Sequence, residues 1–188
     1  MADALDLRRV VVIGSSGAGK TTFAGELSAC LGAPHVQLDA LYWGANWTAV
    51  DQEVFRQRVM ERAAAERWVA DGNYRSVRDI LWARATTIVW LDYSFPRVFG
   101  RLVRRTVRRA WTREEVFNGN RESWRTSFAD KESVIWWMLK TWRRHQRDFG
   151  ELMRDPAYGH VTRIPLRRPV SGMEFHRRVM AAERSPDV

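Results

Sequence analysis

The chain has 188 residues, 45% apolar and 28% charged, which suits one domain with a sizeable core and argues against compositional disorder. No apolar stretch nears the roughly 18 residues of a membrane span, the start lacks the apolar segment of a signal peptide, and the single cysteine, Cys30, excludes an internal disulfide. The expectation is a soluble, cytoplasmic monomer or homodimer with no membrane association and no His/Cys metal scaffold.

The net charge of +9 is localised. Residues 97–147 carry 14 Lys+Arg against 5 Asp+Glu, and the rest of the chain carries 17 of each. Arginines number 28 against three lysines, Lys20, Lys131 and Lys140. Arginine grips phosphate through paired donors, although a high-GC genome gives the same bias without functional meaning.

In chain order, Val10-Val11-Val12-Ile13 is a β-branched run closed by Gly14, a buried strand by pattern. Phe23, Leu27 and Leu31 recur at helical spacing over 20–31, and Gly32-Ala33-Pro34 stops that helix. A second strand is predicted over 35–38 with Asp39 at its end, then a helix over about 52–66 with Phe55, Val59 and Ala63 on one face. Trp68-Val69-Ala70 reads as a third strand ending at Asp71-Gly72, and Ser76 with Asp79 as a capping-box start to the next helix. Residues 86–91 form a fourth strand closed by Asp92, and a long helix follows over about 95–110. Residues 111–127 show no period, 130 to about 153 is helical, and 161–166 is a last strand. Ser171-Gly172-Met173-Glu174 caps a final helix. Strands alternating with helices imply an α/β sandwich around a mostly parallel sheet.

Gly14-Ser15-Ser16-Gly17-Ala18-Gly19-Lys20-Thr21 satisfies G-x-x-x-x-G-K-[ST], with a strand before it and an amphipathic helix after it. Such a loop turns backbone N–H groups inward around phosphate oxygens, and the helix N-terminus adds partial positive charge. Residues 14–22, through Thr22, are therefore the candidate ATP contacts. Lys20 would reach the β- and γ-phosphates and Thr21 would hold Mg²⁺. The N-K-x-D base reader of a GTPase is missing. At this length a small-molecule kinase is the leading class.

Asp39, Asp71 and Asp92 stand at predicted strand ends, where α/β sheets gather ligands. Each is either a turn residue or part of a pair that serves Mg²⁺ and an acceptor hydroxyl. Asp92 ends an hhhhD run. Tyr42, Trp43 and Trp47 follow Asp39 on a stretch that suits neither helix nor strand, and they either wall an acceptor pocket or plug the core. Trp136-Trp137 reads as packing.

Arg101, Arg104, Arg105, Arg108 and Arg109 form one helical stripe, with no Asp or Glu between 94 and 113 to pair with. Three readings stand: a phosphate-closing lid over about 101–127, a solvated basic face, or a nucleic-acid backbone contact. In the lid reading Arg101 touches nucleotide, and Arg105 and Arg108 stabilise the transferred phosphoryl group together with Arg121.

The glycine loop, Leu38-Asp39-Ala40-Leu41-Tyr42-Trp43 with Trp47, Asp71-Gly72-Asn73-Tyr74 and Asn118-Gly119-Asn120-Arg121-Glu122 together resemble the small P-loop proteins called topology modulation proteins, of the adenylate-kinase-like group. The resemblance spans roughly residues 8–170. It implies a three-layer α/β sandwich of the P-loop NTPase and nucleoside monophosphate kinase type. Its five-stranded parallel sheet would have the order 2-3-1-4-5, with an arginine-rich helical lid. It also implies that Asp71 orients Mg²⁺ through water and that Asp39 addresses the acceptor hydroxyl, as in sugar and shikimate kinases. Asp71-Gly72-Asn73-Tyr74-Arg75 is similar to the D-G-[FY]-P-R of adenylate kinases but lacks the proline.

Overall fold

A computed structural model of the chain describes residues 5–120 and 133–184, with side chains to 181. Five strands, β1 (Arg9–Gly14), β2 (His35–Gln37), β3 (Trp68–Asp71), β4 (Thr87–Leu91) and β5 (Thr162–Leu166), make one sheet. Its order is β2-β3-β1-β4-β5, and every neighbouring pair is parallel. Val12 of the central strand lies between Asp71 and Val89, so the ends of β1, β3 and β4 come up level.

The helices are α1 (Lys20–Leu31), α2 (Leu38–Tyr42), α3 (Gln52–Ala63), α4 (Arg78–Arg84), α5 (Phe95–Thr112), α6 (Val134–Leu152) and α7 (Pro169–Arg184). They cover both faces, as a fully buried apolar strand such as β1 requires. Side chains alternate across the strand. Val10 and Val12 join Phe23, Leu27, Leu102, Phe175 and Val179 on one face. Val11 and Ile13 join Phe55, Val59, Trp68, Leu81 and Ile88 on the other. Helix α6 gives Met138 to the first core and Phe149 to the second, so it passes from one face toward the other.

Several local expectations are corrected. Asp39 stands inside the one-turn helix α2, which also takes Tyr42 out of the supposed loop. Ser76 and Asp79 make no capping box; α4 has no side-chain cap, and Asp79 instead receives both terminal nitrogens of Arg56, at 3.0 and 2.7 Å. Helix α7 begins at Pro169, ahead of the proposed cap. The packing assigned to Trp136 and Trp137 does not hold, since they are 48% and 50% exposed. Among the described residues, no helix is long and apolar enough to cross a membrane.

Candidate active site

The glycine loop leaves the end of β1 beside both β3 and β4, the point where the strand order reverses. Gly17 and Gly19 have φ of +86° and +91°, a region costly for other residues. They also allow close packing on α5. A Cβ at Gly17 would stand 2.7 Å from the Val98 carbonyl, and one at Gly19 would meet the Arg101 guanidinium. Helix α1 starts at Lys20 behind Gly19 with no side-chain cap, so its first N–H groups face the loop mouth. Ser15 Oγ is buried in this loop without a partner among the described residues. Glycines with no room for a Cβ, uncapped amides and a buried orphan hydroxyl fit a polyphosphate.

Lys20 Nζ donates to the carbonyls of Gly14 at 2.9 Å and Ser15 at 3.4 Å. Desolvation pushes its ammonium below the usual lysine range; the charges of Asp39 and Asp71 oppose that, and Arg105 adds to it. Lys20, Asp39, Asp71 and Arg105 therefore share one electrostatic neighbourhood. Thr22 is exposed in the first turn of α1.

Asp71 is 4% exposed and is held at both oxygens. Thr21 Oγ1 donates to Oδ2 at 2.8 Å, and His35 Nε2 lies 2.8 Å from Oδ1. Gln37 Nε2 is 3.3 Å from His35 Nδ1. A cation beside Thr21 would find one hydroxyl and one carboxylate, a hard oxygen set suited to Mg²⁺. Among the three strand-end aspartates it is thus Asp71 that meets the loop threonine. Asp92 faces Arg167 at 3.8 Å instead; burial raises its pKa, against the pull of Arg167 and a hydrogen bond from Gln146.

Asp39 accepts a hydrogen bond at Oδ1 from the Tyr74 phenol at 2.7 Å. Beneath it Tyr42 packs edge-on against Phe55 and tilted against Tyr74, while Trp43 and Trp47 stack outward edge to face. The aromatic stretch thus divides: Tyr42 roots in the core, and Trp47 is 36% exposed.

The contacts of three asparagines escaped the sequence reading. Asn73 pins the start of the loop, its Nδ2 donating to the Gly14 carbonyl at 2.7 Å and its Oδ1 accepting from the Gly14 N–H at 3.3 Å. Asn118 donates to the carbonyls of Ala40 and Trp43, and Asn120 bonds Trp47 N–H and the Gly44 carbonyl. The stretch after α5 is therefore stitched to the segment that carries Asp39. The only sequence signal was Asn-Gly-Asn itself, whose first residue has φ of +52°.

On α5, Val98, Leu102, Thr106 and Ala110 form the buried stripe and the arginines lie off it. Arg101 Nη1 donates to the Ala18 carbonyl at 3.3 Å, which ties the helix to the loop. Arg105 and Arg109 are half-buried and Arg104 is exposed. Arg108 pairs with Glu114 at 2.8 Å, so the expected lack of acidic partners fails just past the helix end. Arg121 and the rest of the 121–127 portion of the expected lid lie outside the described residues.

A cavity of about 430 Å³ opens at the opposite end of the sheet, lined by Asp6, Arg9, Arg84, Thr86 and His160. The glycine loop, Lys20 and both candidate carboxylates sit instead at the carboxyl ends of the strands, where α/β folds bind ligands.

Strand order, loop and following helix define a P-loop NTPase fold. No protein-family profile matches the chain, and no curated protein matches it in sequence. Solved structures share its fold. A gluconokinase from Sinorhizobium meliloti 1021 is 21% identical with a TM-score of 0.51, over 93% of this chain and 90% of that one. A shikimate kinase from Bacteroides thetaiotaomicron is 14% identical with a TM-score of 0.52, over 94% and 98%. A shikimate kinase from Acinetobacter baumannii, in complex with shikimate, is 18% identical with a TM-score of 0.51, over 98% and 97%. At these identities the likeness defines the fold.

Proposed function

We propose that this chain is a phosphotransferase that moves the γ-phosphate of ATP to a hydroxyl of a small molecule. The observation that carries the reading is the meeting of Lys20, the Thr21–Asp71 pair and Asp39 around one glycine loop. The named activities of the solved structures with this fold, gluconokinase and shikimate kinase, support it. So does the resemblance of the Asp39, Asp71 and Asn118 stretches to the adenylate-kinase-like topology modulation proteins.

The loop amides and Lys20 bind the triphosphate, with Arg101 beside them. Thr21 and Asp71 would hold Mg²⁺, which would offset charge on the β- and γ-phosphates. Asp39 orients the acceptor hydroxyl and takes its proton as the new P–O bond forms. The bond from the γ-phosphorus to the bridging oxygen breaks, and ADP leaves. Arg105 and Arg108, with Arg121, close over the phosphoryl group as part of a lid at 101–127. The acceptor is a nucleotide, nucleoside or other hydroxyl metabolite, and the reaction is cytoplasmic. Incubation with γ-labelled ATP and a metabolite pool should give acceptor-dependent ADP and one labelled product; nucleotide binding with no labelled product from any pool overturns the reading.

A second reading, action on nucleic acid through the basic face, is favoured by the exposure of Arg104, Lys140, Arg143 and Arg147. Affinity for DNA or RNA that falls steeply with salt, without acceptor-dependent turnover, would establish it.

A further inference from the structure

The carboxylate that meets the loop threonine is held by a second residue, from the neighbouring strand. We infer that His35 is a positioning residue for Asp71: its imidazole, aligned by Gln37, fixes the carboxylate so that Thr21 spends its hydroxyl proton on Oδ2 and keeps its lone pairs for a divalent cation. The inference rests on the nucleotide and Mg²⁺ reading above and deepens it.

Three observations lead there. Asp71 is almost fully buried, and a carboxylate out of water needs a donor at each oxygen. It has them, at 2.8 Å from Thr21 and 2.8 Å from His35. A hydroxyl has one proton and two lone pairs, so a Thr21 that donates to Asp71 presents only acceptor density elsewhere. Were Oδ1 left without its donor, the carboxylate could rotate to satisfy it, and the direction of the Thr21 proton would be lost.

Gln37 makes the imidazole a donor at the correct nitrogen. Its amide nitrogen faces Nδ1 at 3.3 Å, and the tautomer that accepts there is the one that donates from Nε2 to Asp71. Strand geometry brings the three together. Gln37 lies opposite Asp71 in the β2–β3 register, and His35, two residues earlier, shares the Gln37 face. A metal-orienting carboxylate supported by a histidine is an outer-shell arrangement, whose loss commonly costs about 10- to 100-fold in metal affinity.

The test separates the metal from the nucleotide. Mn²⁺ binding to the protein–ADP complex is measured by electron paramagnetic resonance, and ADP binding in EDTA by calorimetry. His35→Asn, too short to place a donor at Nε2, should weaken Mn²⁺ about tenfold or more and leave metal-free ADP affinity within about twofold. His35→Gln, whose amide nitrogen reaches the Nε2 position, should recover Mn²⁺ affinity to within about threefold of wild type. Gln37→Met, which leaves the strand backbone unchanged, should shift Mn²⁺ affinity in the same direction and keeps the inference testable if His35→Asn folds poorly. Unchanged Mn²⁺ affinity in His35→Asn, or in Gln37→Met where that variant stands in, overturns the inference. So does an equal loss of metal-free ADP binding, which would make His35 a plain strand tie. A wild-type protein that binds no ADP overturns the nucleotide reading itself, and the inference with it.

Discussion

The Tyr74 phenol donates to Oδ1 of Asp39 at 2.7 Å, joining the segment after β3 to the helix that follows β2. Burial, then the Asp39 charge and this hydrogen bond, hold the phenol far above its usual pKa, so it stays a donor at every working pH. Tyr74 thereby keeps one oxygen of Asp39 oriented. Asp39→Asn is expected to keep ATP affinity and lower turnover roughly 10²-fold, as for loss of a general base. Tyr74→Phe should cost about 1 kcal/mol of stability and a smaller part of turnover, again at constant ATP affinity. Steady-state kinetics paired with calorimetry checks both. Near-normal turnover in Asp39→Asn would leave that residue a structural role in α2.

Lys20→Ala is expected to abolish measurable ATP binding. Among the described residues its ammonium hydrogen-bonds to the Gly14 and Ser15 carbonyls, and its charge is held against desolvation by Asp39 and Asp71. Its removal should therefore change stability by no more than about 1 kcal/mol. Thermal unfolding near wild type together with lost calorimetric heat is the expected pair; unchanged ATP affinity would refute the loop assignment.

Asn73 offers a sharper probe of the loop because both ends of its amide meet the Gly14 backbone. Asn73→Asp keeps the acceptor for the Gly14 N–H but turns the donor to the Gly14 carbonyl into a second negative oxygen. The variant is expected to lose about 1–3 kcal/mol, because a charged oxygen replaces a donor against the Gly14 carbonyl, which still accepts from Lys20. It should also bind ATP more weakly, since the misplaced loop no longer presents its amides. Equal ATP affinity at reduced stability would limit Asn73 to a fold role.

Much of this was legible because strong local patterns coincided with tertiary needs. The β1 run, the glycine loop and the Phe23/Leu27/Leu31 stripe of α1 each have one stable solution in an α/β sandwich, and the structure holds all three. Asp39 and Asp71 were visible as strand-end carboxylates, but only their partners tell them apart from Asp92. Those partners, Tyr74, Thr21 and His35, are 35, 50 and 36 residues away, beyond any local pattern. The Ser76/Asp79 capping box failed for the same reason. Asp79 meets Arg56, 23 residues earlier, and that pairing outweighs the local cap. His35 carried no metal-ligand spacing, and its role rests on strand register.

Asp6, just ahead of β1, contributes to acid stability. Asp6 pairs with Arg8, whose hydrogen bond is the main reason its pKa falls from 3.8 to about 2. The folded value is the depressed one, so this stabilisation is complete above about pH 4 and is lost as pH falls through about 2. Asp6 is 35% exposed and Arg8 63%, so water screens the pair and its contribution is small. Asp6→Asn should be less stable than wild type at neutral pH, and the difference should close between about pH 4 and pH 2 in denaturant titrations. A constant difference across that window would assign the effect to packing.

The arginine stripe spans two settings that a single pair of variants distinguishes. Arg105 is half-buried and lies close enough to Lys20 to lower its pKa, so its charge acts at the loop. Arg108 is exposed and engaged with Glu114, on the side of the helix end. If the stripe closes over a transferring phosphoryl group, Arg105→Ala should cost turnover roughly 10²-fold or more with a smaller change in ATP affinity, because charge develops fully only in the transition state. Arg108→Ala should cost less, since Glu114 already neutralises that guanidinium. Amide exchange should also slow across 101–120 on binding ATP with acceptor, as well as at the glycine loop. If the stripe instead serves nucleic acid, both variants should keep basal ATP turnover and each should reduce the salt slope of DNA or RNA binding by about one. Full activity in Arg105→Ala, with exchange protection confined to residues 14–22, would sink the lid.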